Sequence, residues 1–213
     1  MAYVGKTQEA MTIQNDQMSD ADFQQFLEDA FSLADSFLKS GGAFYIWHAD
    51  SQGLAFREAA KAVGWQVRQC LVWVKNTLVL GRQDYQWKHE PCLYGWKDGG
   101  AHIWANDRSQ TTVLEFNKPQ ASRDHPTTKP VDLFSYQLCN NTHEGDVVLD
   151  VFSGSGTTIL ACEQSNRVVR VMELEPRYVD VAVRRWQELT GQEARLEATG
   201  ETFNELKAKR VSS

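Results

Sequence analysis

One stretch, in which an apolar strand ends in an acid and turns through Gly-Ser-Gly into a helix, constrains the fold of this chain most. Residues 147–149 are the apolar run VVL, Asp150 follows, and VFSGSGTT leads into the helix-like ILACEQSN. Gly154 and Gly156 allow a tight turn that a ligand can approach closely. The free N–H groups at the start of the next helix favour an anionic group. The stretch therefore predicts a ligand site with an anion-binding end.

The rest of the chain alternates between strand-like and helix-like segments. Continuous Val, Ile and Leu runs are typical of strands covered on both faces, and apolar residues at helical spacing mark the helices. The alternation predicts an α/β fold with a largely parallel sheet and helices on both faces. The predicted strands are 43–49, 65–75, 91–97, 101–105, 111–116, 147–152 and 167–175, and the predicted helices are 20–40, 51–64, 129–141, 156–166 and 176–191. We expect the charged end, 201–213, to fray.

An acid at the end of the next predicted strand narrows the choice of ligand. Glu173 lies twenty-three positions after Asp150, and in nucleoside-binding α/β units an acid at this place accepts hydrogen bonds from ribose hydroxyls. The glycine spacing differs from G-x-G-x-x-G, which disfavours a dinucleotide, and no lysine follows the second glycine as in a Walker loop. Two interpretations remain, a nucleoside site with an anionic end or an ordinary strand-to-helix turn.

Composition and charge restrict the class of protein. The chain of 213 residues has a net charge of −6, no apolar run long enough to cross a bilayer and no signal-peptide core, so we expect a cytoplasmic location. Residues 61–130 nevertheless hold ten Lys and Arg against six Asp and Glu, which suits one face toward a phosphate backbone. The four cysteines form no CxxC pair, and Leu93 stands where an HExxH site needs histidine. We predict free thiols and no metal site.

Several motifs together resemble one enzyme family. FSGSGTT after a strand acid, followed by MELEPRYVDVAVRRW, is similar to the cofactor half of the DNA amino-methyltransferases, and HPTTKPVDLF at 125–134 resembles their second cofactor motif. GGAFYIWHAD and the segment from LVWVKN to HEPCLYGWK resemble the central motifs, so the likeness runs roughly from residue 20 to 190. The resemblance implies a Rossmann-like S-adenosylmethionine-dependent methyltransferase sheet. It also implies methyl transfer to the exocyclic amine of adenine (N6) or cytosine (N4) in DNA.

The resemblance further implies a cofactor pocket. The methionine part of S-adenosylmethionine would lie on the glycine turn, with its carboxylate near the threonines and a lysine, and with the ribose at the acid of the next strand. The implied cofactor-binding residues are Asp150, Phe152, Gly154, Ser155, Gly156, Thr157, Thr158, Glu173, His125, Pro126, Thr127 and Lys129. Trp47 and His48 end a predicted strand beside this pocket, where they either line it or belong to the core.

The catalytic loop of the family has no counterpart in this sequence. That loop reads Asp, Ser or Asn followed by Pro-Pro and an aromatic residue. Its polar side chain and a proline carbonyl accept hydrogen bonds from the amine, and the ring stacks on the flipped base. None of the five prolines is adjacent to another, so we assign no catalytic residue. The loop should precede the helix at 20–40, and we therefore expect a chain truncated after the loop, lacking one N-terminal strand.

A polar, aromatic segment before the predicted strand at 91–97 is the candidate DNA contact. Arg82, Tyr85, Lys88 and His89 interleave cations with rings, an arrangement that suits phosphate contact and base stacking. The alternative is a surface loop whose aromatic residues pack inward.

Three functions remain open from the sequence. The first is a site-specific DNA methyltransferase in one domain, with an irregular remnant at 1–19, a target half at 20–120, a cofactor half at 121–190 and a polar tail at 191–213. The second is a non-catalytic module that binds S-adenosylmethionine or DNA. The third is another nucleotide-dependent enzyme such as a small dehydrogenase, which HPTTKP and HEPCLYGWK disfavour. We expect double-stranded DNA as the partner and no membrane, and we leave a homodimer open.

Overall fold

Helices and strands alternate along the part of the chain that the computed structural model describes, which comprises residues 18–82, 84–119 and 128–211. The helices are α1 (Asp20–Phe37), α2 (Gly53–Ala62), α3 (Val131–Asn141), α4 (Thr157–Gln164), α5 (Pro176–Thr190) and α6 (Phe203–Val211). The strands are β1 (Ala43–Trp47), β2 (Gln66–Val79), β3 (Trp87–Trp96), β4 (Val113–Glu115), β5 (Val147–Asp150) and β6 (Val168–Val171). The expected remnant at 1–19 lies outside the described residues except for its last two positions.

Helix α1 begins at a polar cap and buries one apolar face. The hydroxyl of Ser19 accepts a hydrogen bond from the N–H of Asp22 at 3.2 Å, which satisfies one of the free N–H groups of the first turn. Leu27 and Phe31 are buried in a core that includes Phe44 of β1. The prediction of a helix over 20–40 is confirmed, and the helix ends at Phe37.

Strands β1 to β4 form one sheet in the order β1-β3-β2-β4. Strand β3 is antiparallel to both β1 and β2, while β2 and β4 are parallel. The expectation of a largely parallel sheet is therefore wrong for this half of the chain. The reason is the short segment 80–86 between β2 and β3, since parallel neighbours need a much longer crossover. Lys88 and His89 accordingly belong to β3 and not to a loop.

Helices cover both faces of this sheet. Successive side chains of a strand point to opposite faces, so one strand can pack on helices at both sides. Phe44 and Ile46 of β1 lie in the core with residues of α1 and α2. Trp47, on the other face, packs on Phe134 of α3 with 6.4 Å between ring centroids. The predicted arrangement of helices on both faces is confirmed.

Strands β5 and β6 pair in parallel as a second, two-stranded sheet. Contacts at both ends show that β5 runs in the same direction as β1. Lys39, before β1, pairs with Asp146, before β5, at 3.7 Å. Lys129 lies over the ring of Trp47 at the end of β1, and its carbonyl accepts a hydrogen bond from Thr157 beyond β5. Within the described ranges no strand lies between β1 and β5 and pairs with both.

Two segments differ from what the sequence predicted. Residues 101–105 form no strand; Trp104 instead donates its indole N–H to the carbonyl of Asp107 at 2.8 Å. The charged end, expected to fray, contains α6, because Thr202 and Glu205 hydrogen-bond to each other's backbone N–H at its start. No helix among the described residues is both long and apolar enough to cross a membrane.

Candidate functional site

The turn between β5 and α4 has a left-handed backbone at two glycines. The angle φ is +52° at Gly154 and +77° at Gly156, a region that residues with a Cβ atom avoid. A Cβ atom at Gly156 would lie only 2.7 Å from the Cβ of Ala182 in α5. Glycine is therefore required at 156 for the backbone conformation and for the close packing of the turn on α5.

Asp150 organises the same turn. Its carboxylate accepts one hydrogen bond from the N–H of Phe152 at 3.0 Å and another from the hydroxyl of Thr158. Thr158 is only 4% exposed, so its hydroxyl serves Asp150. The structure gives both residues a part in shaping the turn, whereas the family resemblance suggested that Thr158 meets a ligand carboxylate.

Glu173 lies directly beside the turn. Its two carboxylate oxygens accept hydrogen bonds from the N–H of Gly154 at 2.7 Å and of Glu175 at 2.9 Å. These bonds fix the carboxylate, and each oxygen keeps a lone pair for a further donor, as binding of a vicinal diol requires. Because β6 ends two residues earlier at Val171, Glu173 stands at the carboxyl edge of the sheet, where α/β sheets bind ligands.

Arg185 of α5 also holds the turn, although no sequence motif indicated this residue. Its guanidinium donates to the carbonyl of Ser155 at 2.6 Å and to the Ser155 hydroxyl at 3.0 Å. Burial lowers the pKa of Arg185. The spacing of Arg185 in the sequence could have identified it, because Arg185 follows the buried residues Tyr178, Val181 and Ala182 on one face of α5.

Two lysines share one carboxylate near the turn. The ammonium of Lys75 in β2 lies 2.7 Å from Glu90 Oε1 in β3, and the ammonium of Lys129 lies 3.3 Å from Glu90 Oε2. Burial raises the pKa of Glu90, but the charges of Lys129 and Lys75 outweigh burial and hold this pKa below its usual value. The three side chains therefore carry one net positive charge. We call them the Lys75–Glu90–Lys129 cluster.

The other predicted cofactor residues lie around the turn. Phe152 is 52% exposed and contacts the ring of Phe26 with 5.8 Å between centroids. Thr157, the first residue of α4, donates its hydroxyl to the carbonyl of Lys129 at 3.4 Å, and Ser155 is buried. The remaining three, His125, Pro126 and Thr127, lie outside the described residues.

The candidate DNA contacts lie on the surface. Tyr85 is 91% exposed, and Arg82, Lys88 and His89 are also exposed. Trp87, at the start of β3, contacts the ring of His89 with 5.6 Å between centroids. The ring of Tyr85 therefore does not pack inward, as the alternative of a surface loop with inward-packed aromatic residues required.

Two ring nitrogens at the end of β1 are buried and have no hydrogen-bond partner in the described part of the chain, namely Trp47 Nε1 and His48 Nε2. The ammonium of Lys129 lies 5.9 Å from the ring centroid of Trp47, so Trp47 borders the site. His48 stacks on Phe56 of α2 with 5.3 Å between centroids and packs toward that helix.

Comparison with known proteins identifies the family that has this fold and this turn. A family model for DNA methylases of the N6 and N4 type matches residues 6–184. The chain belongs to this DNA methylase family. Among curated DNA methylases, the type II methyltransferase M.Cfr9I of Citrobacter freundii is 34% identical over 151 residues, which cover 63% of this chain and 48% of that protein. M.XycI of Xanthomonas campestris pv. cyanopsidis is 33% identical over 141 residues, covering 58% and 45%. The chain spans about half the length of these relatives.

Solved structures share the architecture. The complex of M1.HpyAVI with S-adenosylmethionine matches with a TM-score of 0.69 and 23% identity, covering 79% of this chain and 85% of that one. The PvuII DNA methyltransferase, described as cytosine-N4-specific, matches with a TM-score of 0.70 and 14% identity, covering 83% and 76%. At these identities the likeness shows the fold, which is the Rossmann-like sheet of methyltransferases.

Proposed function

We propose that this DNA methylase chain binds S-adenosylmethionine at the turn between β5 and α4. The observation that carries the proposal is the hydrogen bond from Gly154 to Glu173, which holds a diol acceptor and the start of a helix in one unit. The ribose would bond to Glu173. The carboxylate would lie at the first turn of α4, whose N–H groups have no acceptor inside the helix, with Lys129 as the nearby cation.

We further propose that the enzyme to which this chain belongs methylates the exocyclic amine of adenine or cytosine in double-stranded DNA. S-adenosylmethionine, when bound, supplies an electrophilic methyl group on its sulfonium. The turn and Glu173 then orient the cofactor so that the methyl group meets the amine directly. Burial raises the pKa of the Cys92 and Cys162 thiols, which keeps them protonated and unsuited to act as covalent nucleophiles.

The exposed residues Arg82, Tyr85, Lys88 and His89 are the proposed DNA contacts. Their support is exposure together with the mixture of cations and rings, which serves phosphates and unstacked bases. Recognition of a specific site and a cytoplasmic location remain predictions from the sequence, and a homodimer remains open.

A non-catalytic module is the second candidate, and a specific observation favours it for this chain alone. No Pro-Pro pair occurs in the 213 residues, so the amine-binding loop of the family has no counterpart here. Trp47 borders the site, but an indole N–H only donates, whereas the amine needs acceptors. We therefore expect the chain by itself to bind the cofactor and to transfer no methyl group.

Binding and transfer should be measured on the same protein. We expect calorimetric titration to show S-adenosylmethionine binding to the wild type and a loss of about tenfold or more in Glu173→Gln, since the neutral amide accepts the ribose hydroxyls less well. Glu144→Gln, an exposed change before β5, is the matched control. Transfer of labelled methyl to unmethylated DNA then separates the candidates: transfer supports a complete enzyme, and binding without transfer supports the module. Absence of binding would contradict the site.

A further inference from the structure

The Lys75–Glu90–Lys129 cluster is asymmetric. Lys75 is the closer partner of Glu90, at 2.7 Å, and its side chain is 6% exposed, whereas Lys129 lies at 3.3 Å and its side chain is 25% exposed. A buried ammonium requires a partner carboxylate far more than a solvated one does. Lys75 and Glu90 therefore form the tight pair, and Lys129 holds the surplus charge.

The backbone of Lys129, whose side chain carries this surplus charge, lies at the start of α4. Thr157, the first residue of α4, bonds to the carbonyl of Lys129, so the lysine backbone is fixed beside the helix N-terminus. The Lys129 ammonium lies between Glu90 and the ring of Trp47, 5.9 Å from the ring centroid. An anion at the first turn of α4 would thus meet a cation whose free charge depends on two residues of the other sheet.

We propose that Lys75 and Glu90 are positioning residues that set the affinity of this site for the cofactor carboxylate through Lys129. The inference rests on the proposed binding of S-adenosylmethionine and adds a mechanism to it. Glu90 competes with the carboxylate for Lys129, and Lys75 reduces that competition by holding Glu90. The target half of the chain thereby tunes the cofactor half.

The proposal predicts in which direction two single substitutions and their combination change the affinity for the carboxylate. None of these variants alters Lys129. Glu90→Gln releases Lys129 and raises the local positive charge, so affinity for the carboxylate rises about fivefold. Lys75→Met leaves Glu90 to neutralise Lys129, so affinity falls by a similar factor. The double variant retains Lys129 alone, with the same net charge as the wild type, and its affinity returns to within about twofold of the wild-type value. These factors correspond to a Coulomb interaction that solvent partly screens.

The experiment compares two ligands that differ only in the carboxylate. S-adenosylhomocysteine and its decarboxylated analogue, 5′-(3-aminopropylthio)-5′-deoxyadenosine, are titrated calorimetrically into each variant. The ratio of their Kd values isolates the carboxylate, because effects on the adenosine pocket or on folding cancel. Lys61→Met in α2 and Glu144→Gln before β5 change the same charges at exposed positions, and both should leave the ratio unchanged.

The outcomes separate the inference from the proposed function. Opposite shifts of the ratio in the two single variants, with recovery in the double variant, would establish the mechanism. Equal binding of both ligands by the wild type, or single variants that shift the ratio in the same direction, would overturn the mechanism while the nucleoside site stands. Failure of the wild type to bind either ligand would overturn both.

Discussion

Both the backbone conformation of the turn and its packing require glycine at position 156. An L residue in the left-handed region costs about 1–2 kcal/mol, and the added Cβ would also press on Ala182, an overpacking that typically costs about 1–3 kcal/mol. We expect Gly156→Ala to lower the free energy of unfolding by about 3 kcal/mol and to weaken cofactor binding. Urea unfolding and calorimetric titration measure the two effects.

Gly191 supplies the matched control for that change. Its φ is +69°, and a Cβ atom there would meet nothing within 4 Å. Gly191→Ala therefore carries only the backbone cost, about 1 kcal/mol, and should leave cofactor binding unchanged. Equal destabilisation by the two substitutions would show that α5 yields to the added methyl group and that packing does not constrain the turn.

Arg185 tests whether α5 supports the turn through hydrogen bonds. Arg185→Met keeps most of the apolar length but removes both bonds to Ser155, so we expect a loss of about 2 kcal/mol of stability and about tenfold weaker cofactor binding. Arg184→Met removes the same charge one position away from the buried stripe and should change stability by less than about 0.5 kcal/mol. Indistinguishable titrations of the two variants would contradict this role.

Local sequence patterns predicted the residues of the turn. They did not predict residues that meet only when distant parts of the chain pack together. Gly154, Gly156 and Glu173 follow from one strand-turn-helix unit and the strand after it. The pair of Lys75 and Glu90 depends on the register of β2 against β3, which places Trp73 opposite Glu90, and no local spacing reports that register.

At the scale of elements, most helix and strand positions were predictable, but the antiparallel pairing of β3 was not. The apolar runs at 43–49, 147–152 and 167–175 contain β1, β5 and β6. Strand β3 starts earlier than its apolar run, because Trp87, Lys88 and His89 are exposed. Trp87 pairs with Val79 of β2 beyond a register shift that lies between Val74 and Val79. Exposed strand residues show no apolar pattern, so the sequence did not indicate a strand at these positions.

Helix α6 shows how a capping pair can outweigh an unfavourable apolar pattern. Thr202, which is 5% exposed, accepts from the N–H of Glu205 at 3.2 Å, and Glu205 accepts from the N–H of Thr202 at 2.7 Å. We expect Thr202→Val to remove about 1 kcal/mol of helix stability and to speed hydrogen exchange of the α6 amides about fivefold. Amides of α5 are the internal control, and unchanged protection of α6 would mean that packing and not the cap holds it.

At the scale of the whole molecule, helix α1 spans the distance between the two sheets. Its buried residues Leu27 and Phe31 face the core of the first sheet, while Phe26 contacts Phe152 at the end of β5. Lys39, just after the helix, reaches Asp146 at the start of β5. These contacts near the two ends of β5 show that the helix runs antiparallel to that strand. Strands β1 and β5 each present an edge without a paired strand among the described residues.

The unpaired edges of β1 and β5 should be detectable by hydrogen exchange. In a strand paired on one side only, alternate N–H groups point to the partner and the others point away. We expect protection to alternate with period two along β1 and β5, whereas β3, flanked by β1 and β2, should be protected at most of its amides. Uniform protection of β1 and β5 would show that another segment pairs with both edges.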